Sequence, residues 1–117
     1  MKNDSEIISI KNAEHYLWGT NCDGWHLVNT NELSVIQERV PSGASEVKHY
    51  HKKARQFFFI LQGQAVIKFD TFKKILNPGE GIEIPPNTKH RLVNESETDL
   101  IFLVISQPKS HDDKFLV

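Results

Sequence analysis

The sequence predicts an all-β domain whose strands close into a barrel or jelly roll. Its apolar residues fall in short runs separated by glycine, proline and asparagine, which is typical of sandwiches and barrels. The 3.6-residue apolar period of an amphipathic helix is hard to find. Seven or eight short antiparallel strands must hide their edges, and closing the sheet achieves this. The predicted strands and extended segments lie at residues 25–28, 33–40, 46–51, 55–61, 64–70, 73–76, 81–84, 89–94 and 100–106.

Turn signals set these bounds. A Pro-Ser-Gly turn at 41–43 ends the segment 33–40, and Gly63 turns the chain so that 64–70 returns as the hairpin partner of 55–61. Residues 12–17 are compatible with a short helix. The tail at 107–117 either packs as a flap or hangs free. The 117 residues fit one domain, 1–117.

The composition excludes several classes of function. Lysine and arginine number 14 against 15 aspartate and glutamate, and the net charge of -1 offers no basic excess for nucleic acid or an anionic membrane. The longest apolar runs, 57–61 and 100–105, are far too short to span a bilayer. Cys22 is the only cysteine, so no intrachain disulfide can form, which fits a reducing compartment. We therefore expect a cytoplasmic protein.

Three histidines and a glutamine form the candidate site. His49 and His51 alternate with Tyr50 on one predicted strand, so both rings point to the same face, with Cα atoms roughly 6.7 Å apart. Gln56 lies on the next strand, and His90 opens a later strand after a proline turn. Closing the barrel can bring all four side chains together, and imidazoles that converge in this way bind divalent metals.

The four candidate residues lie within two sequence motifs, and both motifs indicate the same family. The first contains Gly43, His49, His51, Gln56 and Gly63, and the second contains Gly79, Pro85, Asn87, His90 and Asn94. They resemble the two signature motifs of the cupin superfamily, here at 43–63 and 79–94. The first family motif carries a glycine, a His-x-His pair, an acidic residue and a closing glycine. The second carries glycine, proline, glycine, histidine and asparagine.

This resemblance covers most of the chain. It implies a cupin-type double-stranded β-helix, a jelly-roll barrel that holds one divalent metal ion on His49, His51 and His90. Two positions depart from the family pattern. Asn87 stands where the family usually has glycine, and asparagine tolerates the left-handed backbone of such a turn. Gln56 stands where the family usually has glutamate, and it either ligates as a fourth residue or only donates hydrogen bonds beside the metal.

The glutamine changes the chemistry that the resemblance implies. Gln56 brings a neutral carbonyl oxygen instead of a negative charge, and it cannot act as a general base. Three imidazoles suit iron, zinc, nickel, manganese or copper, and no sequence feature selects among them. Open coordination positions would leave room for a small polar substrate, water or dioxygen.

At this point the sequence leaves three alternatives for the function. The first is a metal-dependent enzyme acting on a small polar molecule, a dioxygenase ahead of an isomerase or lyase. The second is a barrel that only binds a small ligand or a metal, and a third is a cupin that has lost its metal. Fold alone does not choose among them.

Aromatic residues add expectations about the pocket and about assembly. Phe58 and Ile60 share a face with Gln56 and should line the pocket, while Phe57 and Phe59 face the other way. Their outer face needs a cover, either a partner subunit of a homodimer, as in many cupins, or the N-terminal segment. Three further candidates for the pocket are Trp25, Arg39 and Phe102, although core packing is the commoner role for the two aromatic residues and a surface ion pair for Arg39.

Overall fold

The computed structural model of the protein describes residues 6–117, and it is all-β as predicted. The described residues contain eleven strands, more than the seven or eight expected, because strands form at both ends of the chain. They are β1 (Glu14–Trp18), β2 (Cys22–Asn29), β3 (Ser34–Val40), β4 (His49–His51), β5 (Arg55–Gln62), β6 (Ala65–Lys68), β7 (Lys73–Leu76), β8 (Gly81–Ile84), β9 (Arg91–Val93), β10 (Leu100–Gln107) and β11 (Lys114–Leu116). The strands predicted at 73–76 and 81–84 are confirmed at both ends.

Two walls of antiparallel strands form the barrel. One wall is a six-stranded sheet in the order β1-β2-β3-β10-β5-β8. The other combines the sheet β7-β6-β9 with the pair β11-β4. Backbone hydrogen bonds between residues 43–49 and 90–94 join those two small sheets into one surface. The histidine-bearing segments therefore lie side by side in the same wall.

The core between the walls consists of inward-facing strand residues. Strands β5 and β10 alternate buried and exposed positions along their length, which is the period expected when one face of a strand is buried. Fully buried members include Phe58 and Ile60 of β5, Phe102 of β10, and Ile67 and Leu92 from the opposite wall. Burial of these large apolar side chains supplies the main driving force for closing the barrel.

The short helix allowed at 12–17 is wrong. The chain makes a single turn in which the N–H groups of Asn12 and Ala13 donate to the carbonyl of Ser9. It then continues as β1, whose residues pair in register with β2 from Trp18 opposite Cys22 to Glu14 opposite His26. Pairing with an existing sheet edge outweighs the weak helical propensity of this segment.

The hairpin predicted between 55–61 and 64–70 is also wrong. Strand β5 already has a partner on each side, β10 and β8, so β6 pairs with β7 and β9 in the other wall. The connection passes through Gly63, whose φ is 84°. A Cβ there would lie 2.5 Å from the carbonyl oxygen of Asp99, so only glycine fits this crossing between walls.

Other local expectations have clear outcomes. Asn87 adopts a φ of 66°, so the asparagine does take the left-handed conformation expected of it. The tail does not hang free, because β11 pairs with β4 from Lys114 opposite His51 to Leu116 opposite His49. None of the described residues forms a helix long and apolar enough to cross a membrane.

Candidate metal centre

The three predicted histidines meet at one point of the barrel wall. His49 and His51 begin and end β4, and His90 immediately precedes β9. The backbones of His49 and His90 exchange two hydrogen bonds, of 3.0 and 2.9 Å, which places the two residues directly opposite each other. All three side chains are buried, and one ring nitrogen from each lies within 4.8 Å of the others. This spacing allows three imidazoles to bind a single ion.

Hydrogen bonds set the orientation of each ring. The Nδ1 atoms of His49, His51 and His90 lie 2.7, 2.8 and 2.8 Å from the backbone carbonyls of Val47, Asp113 and Thr88. A carbonyl only accepts, so each Nδ1 carries the proton and each Nε2 of the neutral ring has a free lone pair. The Nε2 atoms of His51 and His90 are buried without a hydrogen-bond partner. Metal-binding histidines in proteins show this same arrangement.

Burial keeps two of the rings uncharged. It lowers the pKa of His49 to about 4, because charging the ring in this environment is unfavourable. Burial also lowers the pKa of His90. At neutral pH no proton on these two rings competes with a metal ion for the lone pair.

Gln56 on β5 presents an amide beside the histidines. Its Nε2 donates to Ser106 Oγ at 3.0 Å, and its Oε1 is buried with no partner. The residue is only 6% exposed. A buried carbonyl oxygen without a donor is unfavourable unless a ligand or water completes it. Both interpretations of Gln56, as a ligand or as a hydrogen-bonding neighbour, are compatible with this geometry.

These residues fit a divalent metal ion. The candidate donors are three imidazole nitrogens, and the unpartnered amide oxygen of Gln56 is a fourth if that residue ligates; none of these atoms carries a negative charge. Such donors suit iron, zinc, nickel, manganese or copper better than magnesium or calcium, which prefer carboxylates. The unpartnered, buried Nε2 and Oε1 atoms are the observation that a metal would explain.

The C-terminal tail completes the support of His51. The carbonyl of Asp113 accepts the Nδ1–H of His51 at 2.8 Å. The carboxylate of the same residue accepts three backbone N–H groups, from Lys52 at 3.2 Å, Lys53 at 2.9 Å and Ala54 at 2.8 Å. Asp113 thus connects the tail to the loop that follows β4 and holds the second histidine in place.

A cavity of about 130 Å³ lies beside the histidines. Phe58 and Gln56 line it as predicted, together with Ile36, Val104, His49 and His51. Its other walls are polar and come from Tyr16, Glu38, Glu46, Ser106, Ser110 and Lys114. Four strands of the large sheet, β4 and the segment before it, and the C-terminal tail all contribute.

The remaining pocket candidates do not line this cavity. Arg39 faces the opposite side of β3, where it donates to Asp23 Oδ2 at 2.6 Å and to the carbonyl of Asn21 at 2.9 Å. Trp25 lies on the same outer face, with its ring 5.2 Å from that of His15. Alternation along the two strands explains both placements, because odd-numbered residues point outward along β3 and along β2 as far as Trp25.

Two further candidates face inward but lie outside the cavity walls. Ile60 and Phe102 are both 0% exposed and belong to the hydrophobic core. Each is two residues beyond a residue that does line the cavity, Phe58 on β5 and Val104 on β10. The expectation that Ile60 and Phe102 point into the barrel is confirmed, but they lie too far along their strands to reach the cavity.

Sequence reasoning missed the acidic part of the cavity. Glu38 is buried there and Glu46 is half-buried, and the Oη of Tyr16 donates to Glu38 Oε2 at 3.3 Å. Burial, and then the charge of Glu46, raise the pKa of Glu38 to about 8. Glu38 shares its predicted strand face with Ile36 and Val40. A carboxylate on an otherwise apolar strand face was the signal that could have identified it.

Two curated proteins are similar to part of this chain in sequence. Quercetin 2,3-dioxygenase of Bacillus subtilis is 36% identical over 59 residues, which are 50% of this chain and 18% of that enzyme. An uncharacterised protein of Methanocaldococcus jannaschii is 32% identical over 81 residues, 68% of this chain and 65% of that protein. The chain thus spans less than two thirds of the length of either relative.

Solved structures extend the likeness to the whole fold. A crystal structure of an RmlC-like cupin from Shewanella frigidimarina superposes with a TM-score of 0.81 at 21% identity, covering 96% of this chain and 98% of that one. Residues 36–106 match the family described as Cupin domain. That match contains the three histidines, Gln56 and the turn at Asn87. The chain belongs to the cupin family.

Proposed function

We propose that this chain is a metal-dependent cupin enzyme that acts on a small polar molecule, with His49, His51 and His90 as protein ligands of one divalent ion. The observation that carries the proposal is the set of buried lone pairs on Nε2 of His51 and His90. Backbone carbonyls hold all three rings, so the donors are oriented before any ion binds. Gln56 is proposed as the fourth contact, through its unpartnered Oε1.

The ion would polarise an oxygen of the substrate, and iron or copper would in addition permit chemistry with dioxygen. The protein residues perform the other tasks. The histidines hold the ion, and Ser106 orients the Gln56 amide by accepting its N–H. Ile36, Phe58 and Val104 exclude water from one side of the cavity. Lys114 offers an ammonium group to an anionic part of a substrate.

The size of the cavity limits the substrate. Pockets for drug-sized ligands measure about 300–1,000 Å³, well above the 130 Å³ found here. A flavonol such as quercetin, the substrate in the name of the Bacillus relative, would not fit without movement of the walls. We therefore propose a substrate of a few heavy atoms that carries a hydroxyl, oxo or carboxylate group. Oxidation by dioxygen is the first reaction to test, ahead of isomerisation and lyase chemistry.

The small cavity also favours one alternative function. A site with room for an ion and little else suits a module that binds a metal or a very small ligand without turnover. The two functions differ in an observable way, because only the enzyme consumes dioxygen or converts a small hydroxy or oxo acid when the metal is present.

The test begins with metal content. Protein made without an affinity tag is analysed for elements beside the double variant His49→Ala, His51→Ala and the control His111→Ala, whose side chain is exposed. The proposal predicts near-stoichiometric metal in the native protein and the control, and its loss in the double variant. Oxygen uptake with a panel of small hydroxy and oxo acids follows. A native protein that stays free of metal, even after anaerobic reconstitution, would contradict the proposal.

We also propose that two copies pair through the outer face of the large sheet. Phe57 is 39% exposed there and stacks on Phe59 with ring centroids 6.3 Å apart. On the adjacent strand β10, Ile105 and Leu103 stand opposite these phenylalanines and are partly exposed. No segment of residues 6–117 covers Phe57. A partner of the same surface would bury this apolar patch, as patches of this kind usually require.

A further inference from the structure

We infer that Glu38 is the residue that exchanges a proton with a ligand bound at the histidines. The inference rests on the proposed metal site. It assigns proton transfer to a residue of β3, because the amide of Gln56 neither accepts nor releases a proton at neutral pH. Glu38 lines the same cavity as His49, His51 and Gln56. Glu38 is only 9% exposed, and its contact with solvent is through that cavity.

The carboxyl of Glu38 has little protein around it to hold a negative charge. The hydrogen bond from Tyr16 Oη, at 3.3 Å, is the only one it receives from a side chain in the described part of the protein. None of the ion pairs among residues 6–117 involves Glu38 or Glu46. A buried carboxyl without an ion pair is unfavourable for folding, and such groups occur where a site uses them.

The strands are arranged to deliver Tyr16 to this carboxyl. Tyr16 of β1 stands opposite Gly24 of β2, which in turn stands opposite Glu38 of β3. The phenol ring lies over Gly24, where an added Cβ would approach ring atoms of Tyr16 to 2.3–2.6 Å. Glycine at position 24 therefore lets the tyrosine cross one strand and reach the next. A hydrogen bond that requires this gap is a built feature of the sheet.

The surroundings of Glu38 contain the groups that a proton transfer needs. Glu46 enters from the segment before β4, where its Oε1 accepts the N–H of Leu92 at 2.9 Å. Lys114 enters from β11, and the Gln56 Oε1 on β5 has no partner. A ligand in this cavity would thus lie beside both the residues proposed to hold the ion and Glu38, because all of them line it.

The transfer balances without any further reactant. In one direction the O–H bond of the Glu38 carboxylic acid breaks, its electron pair stays on the carboxylate, and the proton forms a new O–H bond on an anionic ligand oxygen. In the other direction a ligand O–H gives its proton to the Glu38 carboxylate, and the ligand keeps the electron pair. Groups in this role contribute typically 10²–10⁴-fold to a reaction rate.

The experiment uses the zinc-loaded protein and acetohydroxamic acid, a small chelator with one ionisable O–H. Infrared difference spectra record the C=O stretch of protonated carboxylic acids before and after the probe is added. We expect a gain or loss of this band in the native protein and in the surface control Glu97→Gln. The change should be absent in Glu38→Gln. Tyr16→Phe should keep it but displace its dependence on pH, because one hydrogen bond to the carboxyl is lost.

The outcomes separate this inference from the proposed function. If the native protein does not bind zinc, the metal site itself is refuted, and with it the basis of the inference. If zinc and the probe bind but Glu38→Gln gives the same spectral change as the native protein, Glu38 exchanges no proton and only the inference is overturned. Loss of zinc from Glu38→Gln alone would also overturn it, because the residue would then be needed for metal binding.

Discussion

Replacing Asp113 by alanine should weaken both the fold and the metal site, although the residue touches neither the ion nor the substrate. Its carboxylate accepts three backbone N–H groups of residues 52–54, and its carbonyl accepts the Nδ1–H of His51. Alanine removes the carboxylate and keeps the carbonyl. The variant therefore tests whether the anchoring of the tail is what keeps His51 in its binding orientation.

The size of the effect follows from the burial of the three donors. Lys52 and Lys53 are exposed, so water can replace the carboxylate at their N–H groups. Ala54 is 1% exposed, and its N–H would be left without a partner. Such a loss costs about 1–3 kcal/mol of unfolding free energy. We expect a loss of about 2 kcal/mol and a fall in Tm of roughly 10 °C for a domain of this size.

The same variant should bind metal more weakly. Losing the group that orients a metal-binding histidine typically reduces metal affinity about 10–100-fold. Thermal unfolding of the metal-free protein and competition with a chromogenic chelator measure the two effects separately. Asp113→Asn keeps one acceptor oxygen and should fall between the native protein and Asp113→Ala. Asp112→Asn removes the neighbouring exposed carboxylate and should change neither quantity.

The pH dependence gives the reasoning a further check. Burial alone would raise the pKa of the Asp113 carboxyl, but the three N–H donors and then the charge of His51 outweigh it and hold that pKa below its ordinary value. The stability from this group is therefore present above about pH 4, the ordinary pKa of aspartate, and is lost as the pH falls through the lowered value. Unchanged stability and metal affinity in Asp113→Ala would refute the anchoring role.

Three further predictions concern the cavity and the outer sheet face. Gln56→Glu should raise zinc affinity at least about tenfold in chelator competition, because a negative charge beside a divalent ion gains several kcal/mol even at an effective dielectric near 20; equal affinities would show that position 56 does not face the ion. The metal-free native protein should lose stability as the pH rises from about 4.5 to about 8, because burial and Glu46 raise the pKa of Glu38 to about 8 and its proton is retained in the folded state alone. Denaturant unfolding should show a smaller loss over this range in Glu38→Gln, and parallel curves would contradict the buried carboxyl. Phe57→Glu should convert a dimer to a monomer in light scattering after size exclusion, and a native protein that is already monomeric would refute the proposed interface.

The sequence was informative where one residue type has one structural use. Strand β5 alternates its two faces from Arg55 to Ile60, so the shared inward direction of Gln56 and Phe58 could be predicted from their positions. The motif spacing predicted that His49, His51 and His90 lie together, because the two short segments that carry them must pair for the barrel to close. In these cases local pattern and global fold agree, and prediction is reliable.

Prediction failed where partners come from distant parts of the chain. The pairing of β6 could not be seen, because an apolar strand after a glycine turn looks like a hairpin until both edges of β5 are known to be occupied. The tail looked featureless, since Asp113 acquires its role only by reaching residues 52–54. For Arg39 the pocket and a surface ion pair were both considered, and alternation along β3, which directs the side chain outward to Asp23, should have excluded the pocket.

The glutamine at position 56, where the family usually has glutamate, and the carboxyl of Glu38 have a common physical explanation. A glutamate at position 56 would combine the functions of metal ligand and proton carrier in one carboxylate, so the group that binds the ion would also be the base. Glutamine separates them: Gln56 offers a neutral, unpartnered Oε1 beside the histidines, while the carboxyl of Glu38 lines the same cavity and accepts a hydrogen bond from Tyr16. A carboxyl that does not ligate the ion keeps its proton more readily, because no direct bond to a cation stabilises its charged form. The double variant Gln56→Glu, Glu38→Gln should therefore bind metal as tightly as Gln56→Glu but still lack the infrared response of Glu38, which would show that the two tasks belong to two residues.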